Sequence, residues 1–175
     1  RRQSGSAFKP IIYAAALDPN QTQPMTAAST LMDVSHTFTT KDNQPYKPVN
    51  YDGRSHGFVS VREALASSLN VPAVLTLQTV GIERTLVLAN RLGVHSLDEP
   101  RNYDLSLALG GGQMSLLELS RAYAALANDG KYTGTSSILE IRDADGNLLY
   151  EPEVKPAQQI IDPRGAWLIS DILSD

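Results

Sequence analysis

Apolar residues gather in short blocks along the chain, and the polar stretches between them carry the stop and start signals. Ala7-Phe8 and Ile11-Ile12-Tyr13-Ala14-Ala15-Ala16-Leu17 form a dense, alanine-rich run that predicts a helix from Ser6 to Leu17, stopped by Asp18-Pro19-Asn20. From Gln21 to Asp52 the periodicity disappears and Thr, Pro, Asn and Asp dominate. This reads as loop with one short strand near His36–Thr40. A structureless stretch of that length is unusual in a compact domain and points to a ligand-facing excursion. Its Tyr46, Tyr51 and Arg54 could line a groove or pack the loop onto the body.

Two capping boxes follow. Ser60-Val61-Arg62-Glu63 opens a helix through Ala66, and Ser115-Leu116-Leu117-Glu118 opens one that runs to Leu126 before Asn128-Asp129-Gly130. Between them, Pro72 suits the first turn of a helix closed by Gly81, and Ile82 to Leu92 makes another closed by Gly93. Residues 98–104 read as loop. Gly110-Gly111-Gly112 lacks the Gly-Lys-Ser/Thr of a phosphate loop and is expected to turn the chain before Ser115. Ile138–Arg142 and Asn147–Tyr150 flank Asp145-Gly146 as a hairpin, and Asp162-Pro163 begins a last helix reaching Leu173.

Composition narrows the possibilities. A chain of 175 residues fits one domain able to bury about 70% of the surface its unfolded form exposes. A net charge of −4 and a pI near 5.3 provide no basic field, so no nucleic acid or anionic membrane surface is expected as a partner. The absence of cysteine excludes disulfides and thiolate metal sites. His36, His56 and His95 lack ligand spacing and read as surface or loop residues, so no metal or other cofactor is expected. No run spans a bilayer and no signal segment is visible. A chain that opens without methionine and has its candidate nucleophile as sixth residue is expected to be an internal piece of a longer protein.

The candidate chemistry is a Ser-x-x-Lys, Ser6 to Lys9. On a helix, residues three apart share a face with Cβ atoms about 5–6 Å apart. A lysine activates a serine only when burial lowers its pKa from about 10.4 towards neutrality. The same residues also fit a plain helix start, with Ser6 as a cap and Lys9 in solvent. Ser68-Leu69-Asn70 sits at a junction between two helices, where polar side chains can be held rigidly towards a cleft or merely cap helix ends.

Longer segments carry more information. Gly5-Ser6-Ala7-Phe8-Lys9-Pro10, Tyr46-x-Pro48-x-Asn50-Tyr51-Asp52, His56-Gly57-x-Val59-Ser60-Val61-Arg62-Glu63-Ala64-Leu65, Ser68-Leu69-Asn70-Val71-Pro72-Ala73-Val74, Leu105-Ser106-Leu107-Ala108-Leu109-Gly110-Gly111 and Ala122-Tyr123-Ala124-Ala125-Leu126-Ala127 occur in order. Together with Gly165-Ala166-Trp167 to Asp175, they resemble the transpeptidase domain of class A penicillin-binding proteins, most closely the 1C branch. The resemblance implies a mainly α fold with a small β part: the helical portion of the serine penicillin-binding and β-lactamase-like fold, truncated at both ends, over residues 1–175. It implies Ser6 as nucleophile, Lys9 as its base, Ser68 as proton relay and Asn70 as holder of the donor peptide's amide.

The implied reaction is peptidoglycan cross-linking through a serine acyl-enzyme on D-Ala-D-Ala stem peptides, with acylation by β-lactams. The implied parent is anchored in the cytoplasmic membrane, carries a glycosyltransferase domain and works in the periplasm or at the cell surface. The family's third motif, Lys-Thr/Ser-Gly, is absent from the chain; Lys131-Tyr132-Thr133-Gly134 has one residue too many and is expected to be loop. The fragment is therefore expected to be inactive or impaired by itself. Two other readings keep the fold. One is a non-catalytic penicillin-sensing or scaffold domain. The other is a serine β-lactamase, for which Glu99 and Asp104 are the nearby loop acids.

Overall fold

The computed structural model describes residues 1–97, 99–153 and 156–175. A two-residue strand β1 (Arg2–Gln3) precedes a 3-10 turn (Gly5–Phe8) that runs directly into α1 (Lys9–Ala16). The predicted opening helix is thus present, but its first turn is tighter than α. Every residue of α1 is buried, which explains why the run is apolar all round rather than striped.

The stretch expected to be loop holds β2 (Thr30–Asp33), β3 (Phe38–Thr39) and β4 (Pro45–Tyr46), and β5 (Gly57–Ser60) follows. β2 pairs antiparallel with β5, Thr30 opposite Ser60 and Asp33 opposite Gly57, and β3 pairs with β4. β3 is the short strand expected near His36–Thr40; β2 and β4 escape a local reading because they are short, and β2 finds its partner β5 far along the chain.

Next come α2 (Val61–Ala66), α3 (Asn70–Val80) and α4 (Ile82–Arg91). The Ser60 capping box is formed in full. Gly81, at φ 88°, lets the chain bend 92° between α3 and α4, a backbone state open to glycine at little cost. Short 3-10 turns occupy Pro100–Asn102 and Leu105–Leu109; residue 98, the start of the expected 98–104 loop, lies outside the described residues.

β6 (Gln113–Met114) pairs with β1, and α5 (Leu116–Ala127) starts at the second capping box, also complete. β7 (Lys131–Tyr132) pairs with β10 (Gln158–Gln159), so the first half of the Lys131–Gly134 stretch is strand where loop was expected, while Thr133 and Gly134 are loop. The hairpin around Asp145-Gly146 forms, with β8 (Ile141–Arg142) and β9 (Leu148–Tyr150) shorter than predicted. α6 (Pro163–Ile172) begins at Asp162, whose carboxylate accepts from the Arg164 amide.

α1 is the central element, packed against α2, α3, α4 and α6. Its Ile11, Ile12 and Tyr13, with Phe8 of the preceding turn, join Leu77, Leu92 and Ile169 in one hydrophobic cluster. Among the described residues no single helix is long and apolar enough to cross a membrane. The central place of α1 matters for chemistry, because it carries a lysine into the interior.

Candidate functional site

Lys9 opens α1 and is 1% exposed. The helix-start alternative, with its amine in solvent, is therefore not what the fold does. Its Nζ donates to the Ser68 carbonyl at 2.5 Å, to Ser68 Oγ at 3.1 Å and to Asn70 Oδ1 at 2.7 Å. These three oxygens use up the ammonium's three protons. Burial lowers the Lys9 pKa from 10.5 to about 8, since desolvation penalises the charged form. About one-tenth of such a lysine is a free amine at pH 7. Ser6 lies in the 3-10 turn one turn before Lys9, and it is exposed. The nucleophile candidate is thus exposed and its candidate base is buried.

The Ser68-Leu69-Asn70 segment owes its shape to a helix ending. The amide of Ser68 donates to the Leu65 carbonyl at 3.0 Å, and that of Leu69 to the Ala64 carbonyl at 2.9 Å. This is the Schellman pattern, in which the residue just past the helix adopts the left-handed conformation and is usually glycine. Here it is Ser68, at φ 53°. A side chain there costs roughly 1–2 kcal/mol, and such strain is commonly kept where a group must point in one direction. Ser68 directs both its carbonyl and its hydroxyl at Lys9.

Asn70 is the first residue of α3, and the preceding Leu69 has no side chain able to cap that helix. The cap comes from elsewhere: Asn50 Oδ1 accepts from the Asn70 amide at 2.7 Å and from the Val71 amide at 3.4 Å. The Asn70 side chain is held at both ends, accepting from Lys9 and donating Nδ2–H to the Val49 carbonyl at 2.7 Å. One amide hydrogen is left for a ligand. Lys9, Ser68 and Asn70 are thus in direct contact, and Ser6 is tied to Lys9 through the backbone, the Lys9 amide donating to the Ser6 carbonyl.

Several contributors were not identified as such in the sequence. Asn50 stood in a quoted segment without a role. Its Nδ2 donates to both oxygens of the fully buried Asp33 at 2.9 and 2.7 Å, and to the Arg54 carbonyl at 2.8 Å. His56, read as an ordinary loop residue, lies between Asp33 and Asp52 at 2.6 and 3.1 Å. The Asp33 hydrogen bond leads in raising its pKa. Tyr123 of α5 donates its hydroxyl to the Ala7 carbonyl at 3.0 Å, beside Ser6.

Gly110 makes a closer approach. A Cβ there would fall 2.1 Å from the Gly5 nitrogen and 2.4 Å from its Cα. The glycine run thus does more than turn the chain: it lets one backbone pack on the residue preceding Ser6. A triple glycine is a visible signal, but what it packs against is set by the fold.

Of the remaining candidates, Arg54 reaches the site through its backbone, its carbonyl accepting from Asn50 Nδ2 at 2.8 Å. Tyr46 packs on the core, whereas Tyr51 and Arg54 are exposed. Glu99 pairs with Arg101 at 3.0 Å, and Asp104 caps the turn at Ser106 through bonds of 2.9 and 2.6 Å.

Comparisons with known proteins agree in direction. A family profile described as "Penicillin binding protein transpeptidase domain" matches residues 1–175. Penicillin-binding protein 1A of Neisseria meningitidis is 34% identical over 182 residues, spanning 99% of this chain and 22% of the relative. Penicillin-binding protein 1B of Vibrio cholerae is 35% identical over 168 residues, spanning 95% and 21% respectively. The crystal structure of penicillin-binding protein 1A from Haemophilus influenzae superposes with a TM-score of 0.83 at 27% identity, over 97% of this chain and 29% of that one. The chain spans about a fifth of the length of the curated relatives it matches.

Proposed function

The chain belongs to the family of penicillin-binding protein transpeptidase domains, and from that premise we propose that it forms the acylation centre of a D,D-transpeptidase. The observation that carries this reading is the buried Lys9 ammonium, held on Ser68 and Asn70 with its pKa brought down to about 8. The three bonds satisfy the buried ammonium; the left-handed Ser68 that supplies two of them and the exposed Ser6 one turn away are what favour an acylation centre.

In the proposed sequence, the neutral Lys9 amine takes the Ser6 hydroxyl proton while Ser6 Oγ attacks the carbonyl between the terminal D-alanines of a peptidoglycan stem. A C–O bond forms and the tetrahedral adduct collapses. The C–N bond then breaks, and the proton passes from Lys9 through Ser68 to the departing D-alanine amine. Ser68 suits that relay because its hydroxyl accepts from Lys9 and keeps its own proton to give. Asn70 offers its free Nδ2–H to the donor peptide, and the Ser6 amide supplies half of an oxyanion hole. An amine on a neighbouring stem then takes the acyl group. A β-lactam enters the same first step, its ring C–N bond opening on Ser6.

The Lys-Thr/Ser-Gly motif would complete the oxyanion hole and bind the substrate carboxylate. Its absence from these 175 residues leads to the proposal that they are a partial domain, impaired when alone. The whole protein is proposed to be membrane-anchored, with a glycosyltransferase domain and its transpeptidase outside the cytoplasm. Its branch is proposed to be 1C, on the same ordered segments from Gly5–Pro10 to Gly165–Asp175. A β-lactamase needs an acid to activate water, and both loop acids proposed for that are occupied elsewhere.

The test is the intact mass of the protein after incubation with a penicillin, beside Ser6→Ala. A penicilloyl adduct that disappears in the variant is the expected result. An adduct on both proteins, or on neither this chain nor a longer one containing it, would end the acyl-enzyme reading. Rapid release of hydrolysed penicillin would favour the β-lactamase instead.

A further inference from the structure

We propose that Asn50 is a positioning residue for acyl transfer: anchored by the buried Asp33 carboxylate, it caps α3 from across the fold and so sets Asn70 against the Lys9 ammonium. The proposal rests on the acyl-transfer reading above and adds to it a residue outside the three family motifs.

The argument begins at the start of α3. The first amides of a helix have no partner within it, and the residue before α3 is a leucine that cannot supply one. Asn50 Oδ1 meets both the Asn70 and the Val71 amides. An asparagine can turn about its own bonds, so a cap delivered from another segment is only as firm as its other end. That end is clamped, because Nδ2 donates to Asp33 and to the Arg54 carbonyl.

Asp33 is itself fixed. It is the last residue of β2, paired with Gly57, and it also accepts from the backbone and side chain of His56. A continuous chain of hydrogen bonds therefore runs from β2 through Asn50 to the backbone of Asn70, whose side chain holds Lys9. The Val49 carbonyl, one residue before Asn50, holds the far side of the Asn70 amide. One segment thus fixes both the backbone and the side chain of Asn70.

The ammonium bonds only to uncharged oxygens. The titratable groups on the elements around it include Tyr13 on α1, Asp33 on β2, Arg62 and Glu63 on α2, Glu118, Arg121 and Tyr123 on α5, and Lys47, Asp52, Arg54 and His56 in the segment of Asn50, and the Lys9 ammonium is bonded to Ser68 and Asn70 instead. If Asn50 is removed, Asn70 loosens, water reaches Lys9 and its ammonium is better solvated. The acylation rate then falls and its pH dependence moves up.

The experiment uses the full protein that carries this sequence, with a fluorescent penicillin as probe. The acylation rate and the number of sites labelled per mole are measured across pH for wild type and Asn50→Ala. The wild-type rate should rise with a midpoint near 8. In Asn50→Ala it should fall by about 10-fold or more at neutral pH, as expected for a reacting group misplaced by a fraction of an ångström. Its midpoint should rise by about one pH unit as Lys9 regains water, with full labelling at long times.

A purely structural role would lower the number of sites labelled and leave the rate and midpoint of the folded fraction unchanged; that result overturns the proposal. If Asn50→Ala does not fold, the isosteric Asp33→Asn is read in the same way, with a shift in midpoint supporting the proposal and an unchanged profile overturning it. A wild type that is not acylated brings down the acyl-transfer reading and this proposal together. An acylated wild type with an indifferent Asn50 overturns this proposal alone.

Discussion

Substituting Gly110 by alanine separates two effects that a glycine usually combines. The residue has φ 80°, and its Cβ would fall 2.1 Å from the Gly5 nitrogen and 2.5 Å from the Gly5 carbonyl oxygen. Holding alanine in the left-handed conformation costs roughly 1–2 kcal/mol. The clash adds about 1–3 kcal/mol, because the neighbour is backbone and cannot rotate away. To reach the 3.4 Å of ordinary contact, the 2.1 Å approach must open by about 1.3 Å. The segment that moves carries Ser6, and a displacement near 1 Å can cost about 100-fold in rate.

Gly146 is the control, since at φ 85° nothing lies within 4 Å of its would-be Cβ; Gly146→Ala incurs the conformational cost alone. At roughly 2–4 °C per kcal/mol for a chain of this size, Gly146→Ala should melt a few degrees below wild type and label normally with a fluorescent penicillin. Gly110→Ala should melt lower still and label about 100-fold more slowly. Equal melting of the two variants, or normal labelling by Gly110→Ala, would refute the claim that this close approach positions the turn carrying Ser6.

Two further outcomes follow from the same geometry. Ser68→Gly should melt above Ser68→Ala by about 2–4 °C, because glycine alone relieves roughly 1 kcal/mol of left-handed strain, while both lose acylation; the reverse order of melting would remove strain from the account of this residue. Glu118 is 8% exposed. Burial pushes its pKa up, but bonds from Ser96 and from the hydroxyl and amide of Ser115 outweigh this and hold it at about 2. A carboxyl with a depressed folded-state pKa stabilises above the unfolded value near 4.5, and that stability is lost as pH falls towards 2. Glu118→Gln should therefore lower stability by about 1–3 kcal/mol at pH 7. The gap from wild type in urea denaturation should close progressively below about pH 4.5, and a gap that stays constant would mean the charge is not what matters.

Some of this protein was local enough to be legible in its sequence. Both capping boxes, the Gly81 and Gly93 stops and the helices they bound follow from contacts within four residues, and they form as read. The placing of Ser6 one turn before Lys9 needed only local structure, although that turn is 3-10 rather than α. The ordered segments also named Ser68 and Asn70 through resemblance.

Other features depend on positions far apart in the chain, and only the tertiary structure decided them. The β2 to β5 pairing closes across the stretch that local periodicity left as loop. The Asp33–Asn50–Asn70 chain joins residues 17 and 20 positions apart, and the contact of Gly110 with Gly5 closes across more than half the chain. Above all, the sequence left Lys9 free to be a solvated surface residue. Placing α1 at the centre of the helices removed it from water, and that burial is the cause of its lowered pKa. A residue's chemistry depends on its solvent, and the solvent of a side chain is set by everything packed around it.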